Sequence, residues 1–206
     1  MRGVESSTGK NAGMIETLVL ASHNKGKLRE FEKLLAGLVG EIKSAGDLGL
    51  IEPEETGTTF VENATMKAVT AMKACGLPCL SDDSGLSVVA LNGDPGVYSA
   101  DWAGPEKDFQ KAMGLVHEKL GDGKDRSAFF TSVLVLAYPD GRIETFEGRV
   151  NGRIVWPPRG EKGFGYDPIF VADGYGQTYA EMDPDIKNSM SHRTLAVQKL
   201  KAYLRD

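Results

Sequence analysis

The chain has 206 residues and a formal net charge of −5, with 41% apolar and 26% charged residues. This composition is typical of a globular protein and excludes a collagen-like, coiled-coil or largely disordered chain. The acidic balance disfavours a protein that holds nucleic acid on a basic surface. The longest apolar runs stop well short of the roughly 18 to 20 residues that a membrane span requires.

The N-terminal segment differs in composition from the rest of the chain. Residues 1–13 are rich in Gly, Ser and Thr and contain no apolar run, so they do not resemble a signal peptide. We interpret them as a flexible N-terminal extension or a remnant of expression, and we expect one domain over residues 14–206. Three residues separate Cys75 from Cys79, where a zinc ribbon or a redox pair would have two. We therefore interpret both as reduced thiols of a cytoplasmic protein.

Apolar periodicity predicts a strand and two helices in the first part of the chain. Residues 17–21 form a short apolar run, which is followed by a polar turn and by apolar residues at helical spacing. Thr59, followed three residues later by Glu62, is a capping box and predicts the start of a second helix. Gly76 and Pro78 end that helix.

The rest of the pattern predicts a turn, two helices and a β-hairpin. An apolar strand enters a turn at residues 82–85, and residues 106–120 have helical periodicity. A Pro-Asp-Gly-Arg turn separates residues 129–138 from residues 143–150, and this arrangement predicts a long hairpin. Residues 195–204 predict a closing amphipathic helix. Together these elements predict an α/β fold with an elongated mixed β-sheet, flanking helices and two lobes around a central cleft.

The first candidate site is a polar turn between the first strand and the first helix, formed by Ser22, His23, Asn24, Lys25, Gly26 and Lys27. Backbone N–H groups at a helix N-terminus and the helix dipole favour an anion there. The two lysines add positive charge suited to a polyphosphate. An ordinary capped turn with solvated lysines explains these residues equally well, and the histidine alone is more simply structural.

The second candidate is a pair of adjacent carboxylates, Asp82 and Asp83, followed by Ser84 and Gly85. Adjacent carboxylates repel each other unless a cation or hydrogen-bond donors compensate. Their position after an apolar strand suggests a Mg²⁺ site or a proton-transfer role. The alternative is an Asx turn in which the glycine is the flexible member. Glu55 could bring another carboxylate to the same cation, although a solvated acidic loop explains it as well.

The third candidate is an aromatic residue, Phe164, between Gly163 and Gly165. The glycines let the backbone approach a planar ligand, and the ring offers a face on which a base can stack. Tyr166 and Asp167 follow, and the carboxylate can accept a hydrogen bond from a base edge. A hairpin bend with a buried aromatic residue is the alternative.

The fourth candidate combines Lys187 with Ser191, His192 and Arg193 near the start of the closing helix. Such donors suit carbonyl oxygens and phosphate. A lone histidine is usually structural, and we interpret His117 in that way. A histidine between a serine and an arginine is a better candidate for binding.

Six motifs in this order and spacing resemble the inosine/xanthosine triphosphate pyrophosphatase family. The similarity extends over residues 17–204, and any one motif alone would be weak. The motifs are Ser22-x-Asn24-x-x-Lys27, residues 59–64 with Lys67 and Ala68, and residues 81–86, 95–100, 163–168 and 191–193.

The resemblance implies a Mg²⁺-dependent homodimer with a nucleotide-binding cleft between two lobes. It implies hydrolysis of non-standard purine nucleoside triphosphates (ITP, dITP, XTP) to the monophosphate and pyrophosphate, which cleanses the nucleotide pool. It also implies that Asp83 is the general base and, with Glu55, a metal ligand. The substrate-binding residues that it implies are Ser22, Asn24, Lys27, Ser84, Phe164, Gly165, Tyr166, Asp167, Lys187, His192 and Arg193. The chemistry of the first turn adds His23, Lys25 and Gly26 to the predicted substrate-binding residues.

Two other functions are compatible with the phosphate and metal features. One is a pyrophosphatase for modified pyrimidine triphosphates, and the other is a non-catalytic nucleotide-binding module. The purine hypothesis depends on the 6-carbonyl: donors from His192, Arg193 or the backbone would satisfy a carbonyl but would leave an adenine amine without an acceptor. The expected partner is a small-molecule nucleotide, not a nucleic acid or a membrane.

Overall fold

The computed structural model describes residues 15–205, so the expected extension at residues 1–13 lies outside the described residues. The strands are β1 (Ile15–Leu20), β2 (Val39–Ser44), β3 (Cys79–Val88), β4 (Ser127–Ala137), β5 (Ile143–Ile154) and β6 (Phe170–Ala172). The α-helices are α1 (Lys25–Leu34), α2 (Phe60–Cys75), α3 (Phe109–Leu120), α4 (Pro184–Met190) and α5 (His192–Arg205). In this part of the chain, no helix has the length and apolar character needed to span a bilayer.

The six strands form one mixed sheet in the order β2-β1-β3-β4-β5-β6. β1 pairs in parallel with β2 and β3, whereas β3, β4, β5 and β6 pair successively in antiparallel fashion. The three strands β3, β4 and β5 are 10, 11 and 12 residues long, which elongates the sheet along their direction. The predicted mixed α/β fold and the predicted hairpin of β4 and β5 are confirmed.

Local capping signals explain where the helices begin and end. α2 begins after Thr59, which forms the predicted capping box, and ends at Gly76, which adopts a left-handed conformation. α3 begins at residue 109 rather than 106, because the Asp108 side chain accepts a hydrogen bond from the Lys111 amide and caps the helix there. The closing helix starts earlier than predicted, at His192.

The predicted turn at residues 82–85 is wrong. β3 continues through these residues, and each of them pairs with a residue of β4. Side chains alternate between the two faces of a strand, so Asp82 and Asp83 point to opposite faces and meet different cations. A pattern that is typical of a turn therefore lies in the middle of a buried strand.

The core is divided into several hydrophobic clusters. On one face of the sheet, Leu80 and Leu134 belong to a cluster with residues of α1 and α5, whereas Leu86 and Phe130 belong to a cluster with residues of α3. The opposite face packs against α2. Polar residues of β3 and β4 separate the two clusters on the first face, and the candidate site lies at this interruption.

A glycine lets α5 approach the sheet closely. A Cβ atom at Gly148 of β5 would overlap the carbonyl oxygen of His192 and would contact the Ala196 amide. The first turn of α5 therefore sits directly on the strand. This contact positions His192 and Arg193 beside the polar part of β3.

Candidate active site

Asp82 lies on the α5 face of β3 and is surrounded by donors. Its Oδ2 atom is 3.1 Å from Nη2 of Arg193 and 3.2 Å from Nζ of Lys27. Its Oδ1 atom accepts hydrogen bonds from the hydroxyls of Ser84, at 2.7 Å, and Ser132, at 3.2 Å. Burial opposes ionisation, but the charges of Arg193 and Lys27 outweigh it and hold the pKa of Asp82 well below its usual range.

Asp83 lies on the α2 face and shares one cation with a second carboxylate. Nζ of Lys67 is 2.9 Å from Oδ1 of Asp83 and 2.9 Å from Oε1 of Glu55. Burial raises the pKa of Asp83, and the neighbouring Lys67 ammonium opposes the shift. Oδ2 of Asp83 is buried and has no hydrogen-bond partner among the described residues. A carboxylate with a raised pKa and an available oxygen suits proton acceptance.

Lys67 is a candidate functional residue to which sequence reasoning assigned no role. It is buried on α2, one helical turn after the buried Asn63 and beside the buried Ala64 and Ala68. A buried lysine on an alanine-lined helix face was the available signal, because such a charge needs a partner. That partner could not be identified from the helix alone.

The two lysines of the site converge on one backbone oxygen. Nζ of Lys27 is 3.4 Å and Nζ of Lys67 is 3.5 Å from the carbonyl oxygen of Asp82. Lys27 comes from α1 and Lys67 from α2, on either side of β3. Two ammonium groups at one point of the sheet form a place where a polyphosphate can be neutralised.

The carboxylates on the α2 face fit a hard cation. Mg²⁺ is usually held by one or two carboxylates together with water and substrate phosphates. Asp83 and Glu55 supply carboxylate oxygens, each 2.9 Å from Nζ of Lys67. Residues 15–205 contain no group of three or more acidic, histidine or cysteine side chains that would hold a metal without other ligands. The donor set therefore fits an ion that is shared with a substrate.

The turn before α1 is both a helix cap and a candidate anion site. Oδ1 of Asn24 accepts hydrogen bonds from the amides of Gly26, at 2.8 Å, and Lys27, at 3.2 Å. The Ser22 hydroxyl accepts from the Asn24 amide at 3.1 Å. Asn24 thereby shapes the turn, and Lys27 extends from it to Asp82.

The other residues of this turn lie toward solvent. Lys25 is exposed, and the exposed His23 has Nε2 2.8 Å from the carbonyl oxygen of Leu50. This contact fits the structural interpretation of His23. His117 stacks on Trp156, with ring centroids 4.2 Å apart. Neither histidine lines the cavity described next.

A largely aromatic cavity opens beside the polar site. Phe164 stands at its rim with 66% exposure, so the alternative of a buried aromatic residue there is wrong, and Tyr166 is buried instead. The Tyr166 hydroxyl donates to the carbonyl oxygen of Ser99 at 2.9 Å. The cavity is lined by Ser84, Gly85, Leu86, Ser99, Ala100, Phe109, Phe130, Phe164, Gly165, Tyr166, Asp167, His192 and Arg193.

An ion pair supports the rim of the cavity. The buried Asp167 carboxylate pairs with Lys187 and accepts a hydrogen bond from the Phe164 amide at 2.8 Å. Burial raises the pKa of Asp167, and the charge of Lys187 opposes the shift. Nζ of Lys187 also lies 4.9 Å from the centre of the Phe164 ring. Asp167 thus orients both the lysine and the aromatic residue.

His192 supplies a neutral polar group to the cavity wall. Its ring stacks on Phe130, with centroids 4.9 Å apart, and its Nδ1 atom is buried without a partner in the described chain. Burial and the neighbouring Arg193 charge lower the pKa of His192 to about 3. A neutral imidazole has one N–H donor and one acceptor. His192 can therefore form a hydrogen bond to a ligand without adding charge to the cavity.

The fold and the site together define a class: an α/β protein with a centre of paired ammonium, guanidinium and carboxylate groups next to an aromatic cavity. The family model described as the Ham1 family matches residues 18–203, and the chain belongs to the Ham1 family. This membership confirms the resemblance found in the sequence motifs.

Relatives and solved structures cover nearly the whole chain. A protein of Caulobacter vibrioides named dITP/XTP pyrophosphatase is 55% identical over 191 residues, which are 92% of this chain and 98% of that protein. A protein of Rhodospirillum centenum with the same name is 54% identical over 190 residues, 91% of this chain and 94% of that protein. A HAM1 protein from Coxiella burnetii superimposes with a TM-score of 0.88 at 42% identity, covering 92% of this chain and 98% of that structure.

Proposed function

We propose that this protein hydrolyses dITP, XTP and ITP to the nucleoside monophosphate and pyrophosphate. The observation that carries this proposal is the position of the Asp83 carboxylate. It pairs with Lys67 beside Glu55, close to Lys27 and next to the aromatic cavity. The names of the relatives, dITP/XTP pyrophosphatase, support this substrate class.

Lys27, Lys67 and the N-terminus of α1 would bind the triphosphate. The ammonium groups converge at the Asp82 carbonyl oxygen, and the dipole of α1 favours an anion at its N-terminus. Holding the chain of phosphates at this point aligns the bond between the α- and β-phosphates with Asp83. Alignment and charge neutralisation supply most of the catalysis in phosphoryl transfer.

Asp83 would act as the general base. Lys67 holds its Oδ1 atom at 2.9 Å, which leaves Oδ2 to accept the proton of a water molecule that attacks the α-phosphorus. The raised pKa of Asp83 makes it a stronger base than an exposed carboxylate. Departing pyrophosphate would be stabilised by the cations that bound the triphosphate.

Mg²⁺ belongs to the same proposal, with Asp83 and Glu55 as its protein ligands. When bound, Mg²⁺ supplies Lewis-acid stabilisation of the negative charge on the phosphates. Lys67 forms ion pairs with both carboxylates, so its positive charge partly balances theirs at the site that the ion would enter.

The aromatic cavity would select the base. Phe164 offers an exposed face for stacking, and Lys187 and Asp167 hold the ring in place. A neutral His192 can donate to a 6-carbonyl oxygen. The Arg193 guanidinium in the same cavity wall can only donate, so it suits a 6-carbonyl and would leave a 6-amine without an acceptor. This difference supports hypoxanthine and xanthine over adenine.

Pyrophosphate release tests the proposal. The protein is incubated with dITP, XTP, dGTP, dATP and methylated pyrimidine triphosphates, each with Mg²⁺ and with excess EDTA. We expect rapid release from dITP and XTP with Mg²⁺ only. Preference for the pyrimidines would support the second candidate enzyme, and nucleotide binding without any release would support a binding module.

Family resemblance also leads us to propose a homodimer located in the cytoplasm. Light scattering at several protein concentrations tests the dimer. We expect twice the mass of the 22.2 kDa chain, and a mass of one chain would contradict this assignment.

A further inference from the structure

Asp82 is a charged group of the site that has no chemical step in the proposed reaction. Its side chain is only 1% exposed, and it points to the face of β3 opposite the general base Asp83. Carboxylates are rarely this buried unless they are paired. The partners of Asp82 therefore indicate its role.

Two of the three partners that also line the candidate site, Lys27 and Arg193, come from distant parts of the chain. Lys27 belongs to α1, Ser84 to β3 itself and Arg193 to α5, and all three contact the Asp82 carboxylate. Each of these three side chains is also assigned to substrate binding. The lysine serves the triphosphate, whereas the arginine and the serine line the base cavity.

The two cations share a single oxygen atom. Oδ2 of Asp82 lies 3.2 Å from Nζ of Lys27 and 3.1 Å from both Nε and Nη2 of Arg193. Two like charges this close repel each other unless an anion lies between them. A change in the position of either cation therefore changes the electrostatic environment of the other.

We propose that Asp82 is a positioning residue that couples recognition of the base to alignment of the triphosphate, because it holds Lys27 and Arg193 on one carboxylate oxygen. The inference rests on the proposed function, which assigns Lys27 to the triphosphate and Arg193 to the base. A base that engages Arg193 correctly leaves Lys27 in its aligned position. A base that displaces Arg193 disturbs Lys27 as well, so a mismatch lowers kcat in addition to raising KM.

Glu30 offers a matched control. Its Oε2 atom lies 3.4 Å from Nη1 of the same Arg193, and its side chain is 43% exposed. Within the described part of the chain, Glu30 forms an ion pair with Arg193 and none with Lys27. Glu30→Gln thus removes a carboxylate from the arginine while Asp82 continues to connect the two cations.

Asp82→Asn and Glu30→Gln are compared with the unmodified protein in steady-state kinetics with dITP and dATP. We expect Asp82→Asn to lower kcat for dITP by about 100-fold or more, as for loss of a preorganised electrostatic contact. We expect the ratio of kcat/KM between dITP and dATP to fall by about tenfold or more. Glu30→Gln should leave both quantities within about threefold of the unmodified values.

A purely structural role for Asp82 predicts a different result. Lost folding would reduce turnover of dITP and dATP in the same proportion, so an unchanged ratio in Asp82→Asn would overturn the inference. Circular dichroism measures the folded fraction. Absence of pyrophosphate release by the unmodified protein would instead overturn the proposed function, which separates the two failures.

A double-mutant cycle tests the same coupling if Asp82→Asn does not fold. Lys27→Met, Arg193→Met and the double variant are measured with dITP while Asp82 is retained. Coupled residues give non-additive losses, so we expect the double variant to be at least about tenfold more active than the product of the two single effects predicts. Additive losses within about twofold would overturn the inference.

Discussion

The two faces of β3 place adjacent carboxylates in opposite surroundings. On the α5 face, two cations and two hydroxyls surround Asp82, and these charges hold its pKa well below the usual range despite burial. On the α2 face, Asp83 shares the cation of Lys67 with Glu55, and burial raises its pKa. The same residue type is an anchor where cations are in excess and a reactive group where they are scarce.

The largest effect is expected from neutralising the carboxylate on the α2 face. Asp83→Asn removes the proton acceptor and one of the two carboxylates proposed to bind Mg²⁺. We expect the variant to fold and kcat for dITP to fall by at least about 1,000-fold, within the range for loss of a general base. Pyrophosphate release measures the loss, and retention of a tenth of the activity would remove Asp83 from this role.

Replacing Lys67, the cation shared by Asp83 and Glu55, tests how this charge controls the general base. Lys67→Met leaves Asp83 and Glu55 as uncompensated neighbouring carboxylates, and we expect kcat to fall by about 100-fold. Lys67 lowers the pKa of Asp83, so its loss raises that pKa further. Because the base acts in its deprotonated form, the acid limb of the kcat profile should move to higher pH. Lys73→Met, at an exposed position of the same helix, is the control, and an unmoved acid limb in Lys67→Met would contradict this mechanism.

Removing the aromatic rim separates binding from chemistry. Phe164→Ala deletes the exposed stacking face, and we expect KM for dITP to rise by about tenfold with a smaller change in kcat. Tyr175→Ala removes another exposed aromatic side chain, which does not line the cavity, and serves as the control. An unchanged KM in Phe164→Ala would assign the ring a structural role.

The smallest expected effect concerns the neutral His192. Burial lowers its pKa to about 3, whereas the unfolded chain has an ordinary histidine pKa. Between these values the unfolded state binds more protons, so this contribution to stability is complete above about pH 6.5 and is lost as pH falls toward 3. Urea unfolding from pH 4 to 6 should show a slope up to about 1.4 kcal/mol per pH unit lower in His192→Phe than in the unmodified protein. Equal slopes would mean that His192 is not held neutral.

Local signals explain which parts of the fold could be predicted. The capping box at Thr59 and the hairpin around residues 139–142 depend on neighbouring residues, and both predictions are confirmed. The failure at residues 82–85 arose because consecutive polar residues and a glycine are typical of a turn. In the buried strand, Lys27 and Arg193 compensate the charge of Asp82 from 55 and 111 positions away, and Lys67 compensates the charge of Asp83 from 16 positions away.

The candidate site shows the same limit. Its residue types suggested metal, phosphate and base binding, but no local pattern connected Lys67 to both Glu55 and Asp83. Nor did any pattern show that the two adjacent carboxylates point to different faces of the sheet. Such alternation is a property of a strand, and the sequence predicted a turn at these residues. The chemistry of each segment was visible in the sequence, whereas the pairing of charges required the fold.

The fate of the water oxygen decides whether Asp83 directs attack at the α-phosphorus. The protein hydrolyses dITP in ¹⁸O-labelled water with Mg²⁺, and mass spectrometry locates the label in the products. Attack at the α-phosphorus places one ¹⁸O in the monophosphate and leaves the released pyrophosphate unlabelled, which is the result we expect. Label in the pyrophosphate would show attack at the β-phosphorus and would contradict the assignment of Asp83 and the two lysines.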